Sequence, residues 1–300
     1  MRLLIFGASG FIGTHVRGRA LAAGMEVVTA GRTGFADALS HHHADLAEDD
    51  PGKVAALIDE VAPDGVVNCA GATTGELDAL AGVNVTGVYT LTKAMLMAKA
   101  APRLVHLGSA AEYGRAEPGV PVSEQAVPRP AAVYGVTKLA GTRLVELAAA
   151  AGLDGVVLRV FNPVGPGAPP SNLPGKVVAE LRRALAQRTD IQLGSLDAVR
   201  DFIDVRDVAD AVIAAVAAPA LAHGVLNIGT GRGVPVRTMV QQLLSIAGCA
   251  GVIHEDSGGP ARAADIPWQE ASITCAIEDL GWTPRRNLTT SLTDLWKASN

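Results

Sequence analysis

"RLLIFGASGFIG", Arg2 to Gly13, is the stretch that decides the fold. An apolar run of strand character ends in a glycine, and further glycines follow at even spacing, giving Gly7, Gly10 and Gly13. A dinucleotide-binding turn has a use for each. The first makes the tight turn, the second lets backbone approach a pyrophosphate, and the third packs helix on strand. The phosphates rest on the free N–H groups and positive end of the helix that starts at Phe11 and Ile12. A glycine triplet alone is a weak signal. Here a helical stretch and a second strand, "MEVVTAGRT", follow it as the motif requires.

That second strand ends in Gly31-Arg32 and not in an acid, which a ribose 2′-hydroxyl would ask for. A glycine leaves room for a 2′-phosphate, and a guanidinium can grip it with paired charge-assisted bonds. The expectation is NADP(H) in preference, with NAD(H) also accepted. Asp45 and Leu46 in "ADLAEDD" are placed to meet adenine, and Ala70 and Gly71 in "NCAGAT" to let the nicotinamide half lie against backbone.

Working outward, the apolar runs "EVVTA", "GVVNCA", "RLVHLG" and "GVVLRVF" alternate with helical patterns over Lys53 to Val61 and Val83 to Lys99. Nearly continuous apolar strands between helices predict an α/β fold, a doubly wound parallel sheet of Rossmann type. After Phe161 the pattern changes. "NPVGPGAPPSNLPG" holds five prolines in fourteen residues and reads as loop, followed by a helix over Lys176 to Gln187. The strand-like "GVLNIG" and a helix from Thr238 to Ala247 come next. The organisation expected is a nucleotide domain over 1–162 and 202–231, with a smaller substrate lobe over 163–201 and 232–300.

The bulk numbers agree with a globular chain: 300 residues, 49% hydrophobic, 18% charged. A net charge of −5 without a basic cluster argues against nucleic acid. Cys69, Cys249 and Cys275 have no short pairing, which fits a reduced, cytoplasmic protein. The apolar run Ala211 to Ala222 is broken by Pro219 and falls short of the ~20 residues a membrane span needs. His41 to His43 lack a patterned Cys or carboxylate partner, so an exposed loop is expected there and no metal site.

"YGVTK" begins a helical stretch in which Tyr134 and Lys138 stand four apart, on one face. An ammonium near a phenol favours the phenolate and lowers its pKa. The tyrosine can then pass a proton to or from a carbinol oxygen while a nicotinamide exchanges hydride at the carbon. Ser109, at the end of "RLVHLGS", would hold the same oxygen.

With "GASGFIG", "NCAG", "GSAAEYG", "YGVTK", "RVFNPVGPG", "VRDFIDVRDVADA", "NIGTG" and "LGWTP", the chain resembles the extended short-chain dehydrogenase/reductases acting on nucleotide sugars. The resemblance covers nearly the whole sequence and implies Ser109, Tyr134 and Lys138 as catalytic residues. Dehydratases of that family carry an Asp-Glu pair, or the Glu, directly after the catalytic hydroxyl residue. Ala110 and Ala111 stand there and cannot move a proton; Glu112 comes one residue late, and on an extended segment that turns it to the opposite face. The motifs look most like GDP-4-keto-6-deoxy-mannose reductases and related nucleotide-sugar 4-ketoreductases, which reduce a 4-keto group with NAD(P)H. Ala110, where that group often has a second serine, and the proline-rich loop depart from its pattern.

The resemblance implies a nucleotide-diphosphate sugar as partner, with Ser109, Asn162, Arg200 and Arg262 toward it. Lys176, at a helix start, is a further candidate for phosphate. Asp201, Asp204, Asp207 and Arg159 are expected to be structural, Trp282 to anchor the tail, and Arg182, Arg183 and Arg188 to be solvated. Two apolar helices, Val83–Lys99 and Val136–Ala151, imply a homodimer. The expected activity is NADPH-dependent 4-keto reduction on GDP- or dTDP-sugars. A 4-epimerase with retained NAD is the alternative, against which Arg32 argues, and a nucleotide sensor without chemistry has no use for the Ser-Tyr-Lys set.

Overall fold

The computed structural model describes residues 1–34, 40–249, 251–256 and 266–299. The first half runs β1 (Arg2–Phe6), α1 (Phe11–Ala22), β2 (Glu26–Gly31), β3 (His41–His43), α2 (Pro51–Val61), β4 (Gly65–Asn68), α3 (Leu77–Ala81), α4 (Gly87–Met97), β5 (Arg103–Ser109) and α5 (Val133–Ala150). The second half runs β6 (Gly155–Val160), β7 (Asn162–Val164), α6 (Leu173–Gln187), β8 (Ile191–Gly194), β9 (Val199–Asp204), α7 (Val205–Ala217) and β10 (Val225–Ile228). The chain finishes with β11 (Gly233–Pro235), α8 (Val236–Ala247), β12 (Ile253–Asp256), β13 (Trp268–Gln269), α9 (Thr274–Leu280) and α10 (Leu288–Ala298).

Seven strands form one sheet in the order β10-β6-β5-β4-β1-β2-β3, every neighbouring pair parallel. The doubly wound expectation holds. Strand alternation assigns the two faces. Leu3 and Ile5 of β1 join the core under α1, α7 and α9, whereas Leu4 and Phe6 join the core under α2, α4 and α5. The same alternation turns His106 of β5 and Arg159 of β6 away from the first core, both fully or nearly fully buried. A third core lies among α6, α8, α10 and the short sheets β11-β9-β13, with β7 on β9, and β12-β8.

Three local expectations are corrected. His41–His43 is no loop but the edge strand β3, parallel to β2, with a hydrogen bond between Thr29 Oγ1 and His41 Nδ1 at 2.9 Å. The proline-rich stretch is not all loop. Asn162–Val164 pairs with β9, and α6 starts at Leu173, with Asn172 accepting from Gly175 N–H as its cap and Pro174 in the first turn. The helix expected over Val83–Lys99 opens as a π-helical turn, Gly82–Thr86, and continues as α4 to Met97. Among the described residues no helix is long and apolar enough to cross a membrane.

Asp201, Asp204 and Asp207 are structural, as expected. Asp204 caps α7 and meets Arg206 and Ser291; Asp201 receives the Thr230, Gly231 and Ala271 N–H groups; Asp207 receives those of Arg285 and Arg286. Trp282 is buried and donates to the Asp207 carbonyl. Arg182 is less solvated than expected, because it stacks over the Trp296 ring with its guanidinium 3.8 Å from the ring centroid.

Candidate active site

Strand β5 ends at Ser109, and the chain turns once as a 3-10 helix over Ala110–Glu112. Ser109 Oγ accepts from the Ala111 N–H at 3.2 Å, and Glu112 Oε1 accepts from the Ser109 N–H at 2.8 Å. This reciprocal pair is a capping box. Glu112 is therefore not on an extended segment facing away. The turn rolls its side chain inward, where Oε2 accepts from Arg159 Nε at 2.7 Å and from Thr142 Oγ1 at 2.8 Å. Its oxygens are bound to fixed donors, so it offers no free base. The positions beside Ser109 remain two alanines.

Helix α5 brings the other two groups to that turn. Gly135 is required at the crossing, because a Cβ there would land on the Ala111 carbonyl oxygen. Tyr134 is half-buried, with the Ser109 side chain close enough to act on its phenol. One turn on, Lys138 is buried and donates from Nζ to the Leu107 carbonyl at 2.6 Å. Burial is the main influence on both. It raises the Tyr134 phenol above its ordinary value, opposed by the Ser109 side chain and aided by the Glu112 charge. It brings Lys138 down to about 8, against the pull of Glu112 and Cys69. The expectation of a phenol held low by its lysine is thus corrected. Desolvation decides the sign, and the tyrosine is kept protonated.

Two residues near this corner had no assigned part in the sequence reading. Asn84 sits on the π-helical turn, a distortion found often at functional sites. Its Nδ2 donates to the Ala72 carbonyl at 2.8 Å and to Thr137 Oγ1 at 3.1 Å, tying the loop after β4 to α5. Gln269 of β13 donates to the Ala110 carbonyl at 2.9 Å. An asparagine in an otherwise helical run was the only signal for the first, and the second had none.

The glycine cradle has the shape a dinucleotide needs. Gly7 has φ +71°, and a Cβ on it would lie 2.5 Å from the Ala70 nitrogen; a Cβ on Gly13 would meet the Gly7 carbonyl. Gly10 begins α1 without any side-chain cap, and no acid stands in the first turn at Phe11 and Ile12. The helix end thus presents bare N–H groups to an anion. Ala70 and Gly71 follow β4 beside Gly7, Arg32 stands exposed just past the end of β2, and Asp45 and Leu46 lie just past β3.

Of the expected substrate residues, Asn162 and Arg200 lie on paired strands, Asn162 opposite Phe202 in the β7–β9 register. Asn162 Nδ2 donates to the Asp201 carbonyl at 3.1 Å. Arg200 is buried, bonded to the Val199 carbonyl at 2.8 Å, and brought down to about 10 by burial. It stands opposite Gln269 in the β9–β13 register, which links its strand to the Ser109 turn. Lys176 is exposed on the first turns of α6. Arg262 lies outside the described residues.

Residues 3–229 match the NAD dependent epimerase/dehydratase family. The chain belongs to that family. Among its relatives, dTDP-6-deoxy-L-talose 4-dehydrogenase (NAD(P)(+)) of Kitasatospora kifunensis is 37% identical, over 100% of this chain and 96% of its own. GDP-6-deoxy-D-mannose reductase of Pseudomonas aeruginosa is 29% identical over 97% and 94%, and UDP-glucose 4-epimerase of Streptomyces lividans 32% identical over 99% and 95%. A solved structure of RMD from Pseudomonas aeruginosa complexed with NADPH superimposes with a TM-score of 0.83, at 26% identity over 99% and 96%. The family resemblance drawn from the motifs holds, and a nicotinamide dinucleotide is the cofactor class its cradle fits.

Proposed function

We propose that the protein reduces the 4-keto group of a nucleotide-linked 4-keto-6-deoxyhexose, GDP or dTDP being the nucleotide, with NADPH. The observation that carries this is the Ser109 turn brought against the Tyr134 and Lys138 helix beside two alanines, with the neighbouring carboxylate of Glu112 committed to Arg159 and Thr142. Such a corner delivers one proton and has nothing with which to remove water across a neighbouring carbon–carbon bond. A dinucleotide bound on Gly7, Gly10 and Gly13, against Ala70 and Gly71, supplies the hydride. Ser109 holds the carbonyl oxygen by a hydrogen bond, and Tyr134 gives that oxygen its proton. Lys138 keeps a positive charge beneath them, tunes the tyrosine and holds the nicotinamide ribose, and Arg32 receives a 2′-phosphate. Lys176, Arg200 and Arg262, on the lobe formed by 163–201 and 232–300, take the nucleotide diphosphate, and Asn162, at the end of the nucleotide domain, contacts the sugar nucleotide.

A 4-epimerase with retained NAD is the second reading, favoured by the 32% identity to an epimerase across nearly the whole chain. The two are separated by assaying NADPH oxidation against GDP- and dTDP-4-keto-6-deoxyhexoses. Turnover with either supports the reductase; no turnover together with tightly held NAD in the purified protein supports the epimerase.

A homodimer accompanies this reading. Tyr89, Leu96 and Met97 of α4 and Val133, Val136 and Leu147 of α5 are exposed on two helices that pack together. Such a patch marks a contact surface. Leu147→Glu is expected to convert a dimeric mass, measured by light scattering at micromolar protein, into a monomeric one. A monomer before the substitution overturns the dimer.

A further inference from the structure

We propose that Glu112 is a positioning residue of this site: its carboxylate fastens the turn bearing Ser109 to the helix bearing Tyr134 and Lys138. This rests on reading Tyr134 as the proton donor.

The geometry comes from three elements. Oε1 holds the Ser109 N–H at 2.8 Å, on the turn itself. Oε2 holds Thr142 Oγ1 at 2.8 Å, on α5 one turn beyond Lys138. The same oxygen receives Arg159 Nε at 2.7 Å, from β6. Glu112 is 0% exposed and the Arg159 side chain 2%. A lone carboxylate at that depth is strongly disfavoured, so the arginine's presence makes the charge tenable. The arginine is held in turn, with Nη1 donating to Tyr113 Oη at 3.0 Å and its guanidinium 4.6 Å from that ring's centroid. Tyr113 then donates to Asn227 Oδ1 at 2.7 Å, which reaches β10. A fold staple would need only the arginine. The bonds to the Ser109 turn and to α5 fix the distance between the hydroxyl pair and the lysine.

The electrostatics follow the geometry. Of the buried pair, it is Glu112 that acts on both Tyr134 and Lys138, favouring the protonated form of each. The other groups facing Lys138 are Cys69 from the end of β4 and His106 from β5. Burial pushes the Cys69 thiol up to about 12 and holds His106 well below its usual value, so both are neutral near pH 7. Tyr113, raised by burial to about 12, is neutral too. Glu112 is then the negative charge among these groups that balances the Lys138 ammonium.

The test needs no substrate. Lys138 is buried and the other five of the six lysines, 53, 93, 99, 176 and 297, are exposed. Its side-chain carbon resonance in lysine-labelled protein, assigned with Lys138→Met, therefore reports its titration alone. Glu112→Gln keeps the shape and removes the charge. The Lys138 midpoint is expected to fall by about one pH unit. An unchanged midpoint in a folded variant overturns the proposal. Because Glu112→Gln leaves Arg159 buried without its counter-ion and can unfold the chain, the paired variant Glu112→Gln/Arg159→Met is titrated as well, with the same expected fall. If the chain turns over a 4-keto sugar, kcat in Glu112→Gln should drop ~10-fold or more with KM unchanged, as misplacement of reacting groups produces. Absence of any turnover in the parent protein would remove the reductase reading and leave the titration result standing by itself.

Discussion

The two halves of the site are built from opposite materials. The cradle at the start of α1 works by leaving side chains out: Gly7 and Gly13 have no room for a Cβ, and the helix end is uncapped. The corner at Ser109 works by burying them. Glu112, Arg159 and Lys138 are charged side chains inside the protein, with hydrogen bonds at 2.6–2.8 Å to fixed partners. The difference predicts two kinds of fragility. The cradle fails by steric intrusion, the corner by loss of one charge or one hydroxyl.

The largest effect belongs to the corner. Tyr134→Phe removes the proposed proton donor and leaves the ring. Reduction is expected to slow by ~10³-fold in kcat, within the range a positioned general acid contributes, with cofactor affinity, followed by nicotinamide fluorescence, unchanged. A loss of cofactor affinity equal to the loss of rate would erase the distinction between the halves. The cradle's counterpart is Gly13→Ala. Its new methyl meets the Gly7 carbonyl, so α1 must shift off β1, costing about 1–3 kcal/mol in thermal stability. Dinucleotide binding should fail in the same variant even at temperatures where it is folded.

The pH profile sharpens the corner further. With Lys138 brought down to about 8 from its ordinary 10.5, its ammonium is present below that pH and lost above it. For reduction, kcat/KM should be level toward pH 7 and fall as pH rises through about 8, by up to ~10-fold per pH unit. Tyr134, raised by burial, loses its proton later and does not set this limb. A profile level to pH 10 would mean that the lysine charge is not needed.

The sequence shows the first half far better than the second, for a reason visible in these residues. The cradle is local: three glycines, a strand and the start of a helix fall within twelve residues, and their spacing is itself the mechanism. Tyr134 and Lys138 are likewise one helical turn apart. Glu112 takes its partners from Thr142 and Arg159, 30 and 47 positions along the chain, and no periodicity connects them. Even so, an arginine between Leu158 and Val160 interrupts a buried apolar strand, and that was a signal of a buried partner. The misread "NPV" has a different cause. Pro163 cannot donate to a ladder, yet β7 pairs along one side only, with β9, where a missing N–H costs little. The π-helical turn at Asn84 falls on "GVNVT", a run of poor helix formers, which marks a weak stretch of helix without saying that the turn widens.

Arg32 gives the smallest effect and the finest test of the contrast, since it is the exposed cation expected to grip the cofactor's 2′-phosphate. It is exposed, past the end of β2, so water and salt screen whatever it grips. A buried guanidinium such as Arg159 would cost a great deal to remove; this one should not. Arg32→Ala is expected to raise the KM for NADPH by ~10-fold, the scale of a charge-assisted pair at a wet surface, and to leave that for NADH unchanged. Raising salt from 50 to 500 mM should weaken NADPH in the parent protein and do little in the variant. An equal rise in both KM values would mean that Arg32 shapes the loop and does not touch a phosphate. No change in either would leave the 2′-position to backbone at Gly31, extending the cradle's rule of omitted side chains to its far end.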